Sequence, residues 1–167
     1  MMARSDERGS LVLTATGVAV SLAGTVFVGV GLWGRRETRR ALARERIADP
    51  ARDSPEGAQV TTAAGARSAA ELIRSNTLAA TGDRTYAEIE PYLDAEGEPT
   101  FDRAGAARDE RTGRLIQNPD HELWIQSTTL QAALLQAYMA FRLSELTVAL
   151  GAALVVAGAG LAAAGRR

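Results

Sequence analysis

The chain of 167 residues has no cysteine, no lysine, a single histidine and few aromatic residues. Without cysteine there is no disulfide framework and no thiolate metal site, which is compatible with either side of a membrane. Without lysine, guanidinium is the only side-chain cation, and the all-arginine usage points to a GC-rich genome. The scarce aromatics leave an apolar stock of Ala, Leu and Val, so any core outside a membrane is expected to be thin and helical. No spacing of reactive groups stands out as a catalytic or ligand motif, and the expectation is a chain that is not an enzyme and holds no cofactor.

What is present is concentrated at the two ends. Apolar stretches at 11–33 and 146–164 bracket a charged middle, and each is long enough to cross a bilayer. The first follows Arg4 and Arg8, but its run of about 23 residues exceeds a signal-peptide core, and Gly34-Arg35-Arg36 is no small-residue cleavage site. It reads as an uncleaved anchor with Trp33 at the interface. Gly17, Ser21, Thr25 and Gly29 recur every fourth residue, a stripe along which backbones can approach. Ala149, Ala153 and Ala157 form a similar row in the second stretch, with Gly158 and Ala162 beside it. Both rows are candidate helix-packing surfaces, either within one chain or between copies; equally, small residues are frequent in transmembrane helices generally.

Charge is unevenly placed. From 35 to 46, six Arg against Glu37 and Glu45 give a collar of +4, whereas 47–145 holds nine Arg against sixteen Asp and Glu. An acidic body disfavours nucleic acid as a partner. Arg35, Arg36, Arg39 and Arg40 are candidate lipid-headgroup ligands, and the collar is also a topological signal that favours a cytoplasmic middle segment.

Along the chain, the expected order is a short tail at 1–10, a first transmembrane helix at 11–33 and an Arg-rich juxtamembrane helix at 34–48. An acidic segment at 49–119 follows, broken early by Asp49-Pro50 and Ser54-Pro55. Capping-box patterns at Ser68 to Glu71 and Thr85 to Glu88 predict short helices near 69–80 and 86–93. Residues 94–119, rich in Gly, Pro and charge, read as a long loop. Asn118-Pro119-Asp120 is an N-cap signal, and no Gly or Pro follows until Gly151. One continuous helix is therefore expected, an amphipathic stalk at 120–145 running into a second transmembrane helix at 146–165, with Leu123, Leu130, Leu134, Tyr138 and Phe141 as a candidate interaction stripe.

His121 sits between Asp120 and Glu122, as a general base or metal ligand held by carboxylates would; an exposed helix N-terminus accounts for it as well. Asp94, Glu96, Glu98 and Asp102 invite a calcium site, but their spacing does not fit an EF-hand, and solvated loop acids are the competing account. Arg142 and Glu145 are spaced for a local ion pair at the membrane edge.

The segment Ala80-Thr81-Gly82-Asp83-Arg84-Thr85-Tyr86-Ala87-Glu88, with Leu123-Trp124-Ile125 and the run 130–150, resembles a group of small uncharacterised actinobacterial-type integral membrane proteins with a span at each end. Asp83 and Arg84 stand where that group has Gly-Lys. The resemblance implies a bacterial plasma-membrane location and no assigned activity. The combined expectation is an all-α membrane protein with two spans, a non-enzymatic accessory or scaffold component. Its expected partners are the lipid bilayer and either copies of itself or another membrane protein. The alternative is a membrane sensor binding divalent cations through residues 94–102, or lipid headgroups.

Overall fold

The computed structural model describes residues 3–47, 49 and 59–166, with the side chains of 3–8 left aside. It is mostly helical: α1 (Ala3–Glu45), α2 (Ala63–Ala80) and α3 (Pro119–Ala164), with β1 (Tyr92–Leu93) pairing antiparallel to β2 (Pro99–Thr100). Two compact units emerge, one containing α1 and the second half of α3, the other containing α2, the β-structure and the first half of α3.

In the first unit α1 and α3 pack antiparallel: Gly17 faces Gly158, Gly24 faces Gly151 and Gly31 faces Ser144. α1 is one unbroken helix: the juxtamembrane helix expected at 34–48 continues the first span and forms its last part, ending at Glu45. Ala, Leu, Arg and Glu are all good helix formers, and nothing between Gly34 and Glu45 breaks the ladder. Arg46 then takes a left-handed conformation (φ 50°), the geometry that commonly closes a helix.

The second unit is built around Trp124. Its fully or nearly buried residues include Val60, Ala66, Ala69, Ala70, Ile89, Ala106 and Trp124. On α2 the inward face is Ala66, Ala69, Ala70 and Thr77, spaced as one side of an α-helix. This helix begins at Ala63, so Ser68 is an interior residue and caps nothing; Glu71 instead bonds Arg67 one turn earlier (2.8 Å). The small inward residues permit close approach but supply little apolar area, and polar contacts complete the core. The Thr77 hydroxyl lies 2.8 Å from both the Ile73 carbonyl and Ser127 Oγ. Since a hydroxyl has one proton, Thr77 donates to Ile73 and Ser127 donates to Thr77. The Trp124 indole N–H is shared between Thr81 Oγ1 (3.2 Å) and the Arg84 carbonyl (3.1 Å), while the Arg74 guanidinium lies 5.9 Å from its ring centroid.

Two sequence expectations change here. Residues 86–93 form a single 3-10 turn, Tyr86–Glu88, and then β1, because Pro91 stops helical bonding and Tyr92 and Leu93 find strand partners. Residues 94–119 are not an open loop. Leu93 N–H donates to the Ile116 carbonyl (3.1 Å), Ala107 N–H to Leu93 (2.9 Å) and Ile116 N–H to Ala107 (2.9 Å). Bridges Tyr92 to Gln117, Asp94 to Ala106 and Arg108 to Leu115 add to the β1–β2 pair. The fold is thus helical with a small β-structured insert, not all-α.

The N-cap read at Asn118 is present: its Oδ1 accepts Asp120 N–H (3.0 Å), its Nδ2 donates to the Glu90 carbonyl (2.7 Å), and Pro119 takes the first helical position.

Replacing Thr77 by Val is expected to cost about 1–3 kcal/mol, because Ser127 keeps a buried hydroxyl without its acceptor. Adding Ser127→Ala should recover part of that loss, measured by thermal unfolding of both variants.

Candidate functional site

The feature with the most specific geometry is the seam between α1 and α3. A Cβ built on Gly24 would lie 2.6 Å from the Gly151 carbonyl oxygen and 2.7 Å from Val155 N; one built on Gly151 would meet Gly24 O at 2.6 Å and Val28 N at 2.7 Å. Gly31 would meet Val148 Cγ2 at 2.7 Å, and Gly158 would meet Gly17 O and Ser21 N at 2.5 Å. Apart from Val148 Cγ2 these are backbone atoms that cannot rotate away, and Gly31 also faces the Ser144 carbonyl oxygen at 2.8 Å, so any larger side chain forces the helices apart. Apposition this close brings Cα–H groups toward carbonyls, a weak attraction that recurs at helix interfaces. The Ser21 hydroxyl crosses the seam to the Val155 carbonyl (3.2 Å), and the Ser10 hydroxyl donates to the Gly165 carbonyl.

The repeat is seven residues. On α1 the buried positions are Gly17, Gly24 and Gly31, flanked by half-buried Thr14, Ser21 and Val28; on α3 they are Ser144, Gly151 and Gly158, with Gly165 just past its end, flanked by Val148, Val155 and Ala162. A 3.5-residue average period gives left-handed packing of an antiparallel coiled pair. Of the expected packing residues, Gly17 and Ser21 lie in this seam. Thr25, Gly29, Ala149, Ala153 and Ala157 are exposed, and a Cβ on Gly29 would meet nothing within 4 Å. The four-residue spacing drifts off the face that the helices share. Gly158 and Ala162, expected beside the α3 row, do lie in the seam, whereas Gly24, Gly31, Gly151 and Gly165 fall outside the expectation although their seven-residue spacing is visible in the sequence.

The candidate stripe on α3 divides. Leu134 and Phe141 are buried and Tyr138 is half-buried, whereas Leu123 and Leu130 are exposed. Trp124 and Ser127 occupy the inward positions instead, because the inward face steps by three and four from Trp124. In the collar, Arg39 donates to the Thr61 carbonyl (3.1 Å), Arg40 lies 3.6 Å from Glu37, and Arg36 is exposed. Arg35 lines a cavity of about 200 Å³ with Leu32, Ser144, Glu145, Val148 and Ala149. Arg142 and Glu145 form the expected local ion pair at 2.8 Å.

His121 stacks on Tyr86 with ring centroids 4.7 Å apart, half-buried, and its Nδ1 is buried without a hydrogen-bond partner. Asp120 is drawn to Arg84 (3.8 Å), which also pairs with Glu90 (3.0 Å). The loop acids act within their own turns: Asp94 Oδ1 accepts the N–H groups of Glu96 (3.0 Å) and Glu98 (2.8 Å), and Asp102 Oδ1 accepts that of Ala104 (2.9 Å). Among the described residues, no group of three or more His, Asp and Glu converges to hold a metal ion.

The capping pattern at Thr85 is formed: its N–H and hydroxyl both donate to Glu88 (2.7 Å each). The backbone and then the side-chain bond from Thr85 hold the Glu88 carboxyl below its ordinary value of 4.5. Bonds from Thr112, side chain first, likewise lower Asp109 below 3.8. A depressed carboxyl stabilises the fold above its unfolded pKa, and that contribution is lost as pH falls through the folded pKa. Unfolding midpoints should therefore fall below about pH 4.5, and Glu88→Gln should show a shallower acid limb than the wild type, followed by Trp124 fluorescence in a Trp33→Phe background.

For the seam, Gly24→Leu or Gly151→Leu should destabilise the helix pair by about 1–3 kcal/mol or more. Oxidative crosslinking of a Ser21→Cys/Val155→Cys pair should drop in either variant and be unchanged by Gly29→Leu.

Searches of protein-family models, curated proteins and solved structures find no match to this chain, and no family is identified; the structure shows a long apolar helix towards each end.

Proposed function

We propose that this chain is a non-enzymatic integral membrane protein of the bacterial plasma membrane, an accessory or scaffold component that crosses the bilayer as a hairpin of α1 and α3. The observation that carries the reading is the direction in which the apolar side chains point. α1 and α3 are long and apolar enough to span a membrane, yet only 11% of the most apolar window of each is buried. Their small residues face each other, while Leu11, Val12, Leu22, Val26, Leu146 and Val156 are all more than 60% exposed. Water-soluble monomers rarely present apolar patches beyond a few hundred Å². Lipid is the solvent that suits such a surface, and backbone groups in two complete helices are already satisfied there.

The collar at 35–46 supports a cytoplasmic middle segment. Exposed Leu130, Leu135 and Met139 on α3 offer a surface for a protein partner or a second copy, with Leu135 the better probe site than fully buried Leu134.

The native absence of cysteine supplies a clean background for topology. An Ala95→Cys variant should fractionate with membranes after alkaline washing and react with an impermeant maleimide only once cells are permeabilised. Recovery in the soluble fraction would overturn membrane insertion. Photocrosslinking from position 135 in native membranes should capture a distinct protein or a second copy, and capture of neither would overturn the scaffold role.

A further inference from the structure

We propose that the β-structured insert of the second unit is a binding site for a multiply charged phosphate group, formed by Arg103, Arg108 and Arg114. The bridge between Arg108 and Leu115 and that between Tyr92 and Gln117 are antiparallel, and directly opposed residues share a face of a sheet. Leu115 and Gln117 are two apart, so all four side chains lie on one side. That side is the wall of an open cavity of about 470 Å³, whose lining is completed by Arg103 and Arg114. Arg103 enters from the turn that Asp102 builds, and Arg114 from the hairpin in which Asp109 N–H bonds the Arg114 carbonyl (2.8 Å). Gly113 takes a positive φ (68°) in that hairpin, and its carbonyl receives an N–H from Arg108 (3.0 Å), which fixes that guanidinium at the cavity edge.

Charge makes the arrangement specific. The segment 47–145 carries an excess of seven acids, and Arg67, Arg84 and Arg142 each hold a carboxylate at 2.8–3.0 Å. Arg103, Arg108 and Arg114 have no ion-pair partner among the described residues, and no acid lines their cavity. Three like charges gathered on one concave wall repel one another and favour an anion between them. Guanidinium forks match the oxygens of phosphate in pairs, with the Tyr92 hydroxyl and Gln117 amide as neutral donors beside them. The volume exceeds that of a single phosphate ion and lies in the range of small-molecule sites, so a diphosphate or a phosphate ester fits it better. Such a group is found on soluble metabolites and on lipid headgroups alike.

The test is calorimetric titration of pyrophosphate into the full chain held in nanodiscs of phosphatidylcholine. The wild type and an Arg67→Gln control should bind saturably, and an Arg103→Gln/Arg114→Gln double variant should bind on the order of tenfold more weakly with an unchanged melting transition. Among the described residues these two side chains make no hydrogen bond, and if the pair nonetheless melts early, Arg103→Gln alone carries the comparison. Repeating the titration in discs containing phosphatidic acid, whose phosphomonoester can carry two charges, assigns the source. A several-fold loss of pyrophosphate affinity supports a lipid headgroup as the natural occupant, and no loss supports a soluble phosphate ester. Absence of saturable binding by the wild type, or equal affinity in the folded double variant, would overturn the proposal.

Discussion

The approach of two helix backbones through glycine is the constraint on which the first unit depends. Hydrogen atoms at Gly17, Gly24, Gly31, Gly151 and Gly158 are the only substituents that fit, since each replacement Cβ would sit within 3 Å of the opposite helix. The cost is that glycine weakens an isolated helix by roughly 1 kcal/mol per residue in water. In a bilayer that penalty loses force, because an unwound segment would expose peptide groups to hydrocarbon. The seam and the proposed lipid environment therefore explain each other: a sequence this rich in helix-interior glycine is at home where helices cannot unravel.

The second unit obeys a different economy. Its helix α2 buries Ala66, Ala69 and Ala70, which supply little area, and the indole of Trp124 stands in for the larger aliphatic core that is missing. Thr77, Thr81 and Ser127 bring buried hydroxyls that must be paired, and the bonds among them and to Trp124 set the spacing of α2 against the start of α3. A polar core of this kind specifies geometry more than it adds stability.

Much of this was legible in the amino-acid order. The two long helices follow from apolar length, the start of α3 from Asn118-Pro119, and the turn at Tyr86 from the Thr85 to Glu88 pattern, because each is a local signal. The packing seam was written there too, but at a period of seven. Reading Gly17, Ser21, Thr25 and Gly29 as one stripe assumes a right-handed crossing, whereas the repeat of Gly17, Gly24 and Gly31 answers to its counterpart Gly151, Gly158 and Gly165. The insert at 92–117 was hidden for another reason. Its pairs join Tyr92 to Gln117 and Asp94 to Ala106, contacts distant in sequence and only one or two residues long, which leave no run of alternating residues to detect. The arginine wall follows from that pairing, so composition alone shows only scattered cations in an acidic segment.

A seam made by repeating one residue every seven places has a further property: translation. Slide α1 along α3 by two turns and glycine again meets glycine, so the backbones would fit nearly as well in a neighbouring register. What distinguishes the observed one is a handful of unlike contacts: the Ser21 hydroxyl on the Val155 carbonyl, the Ser10 hydroxyl on Gly165, and Ser144 set against Gly31 and Gly34. Alignment of the hairpin thus rests on serines, while its closeness rests on glycines, and the two can be altered independently.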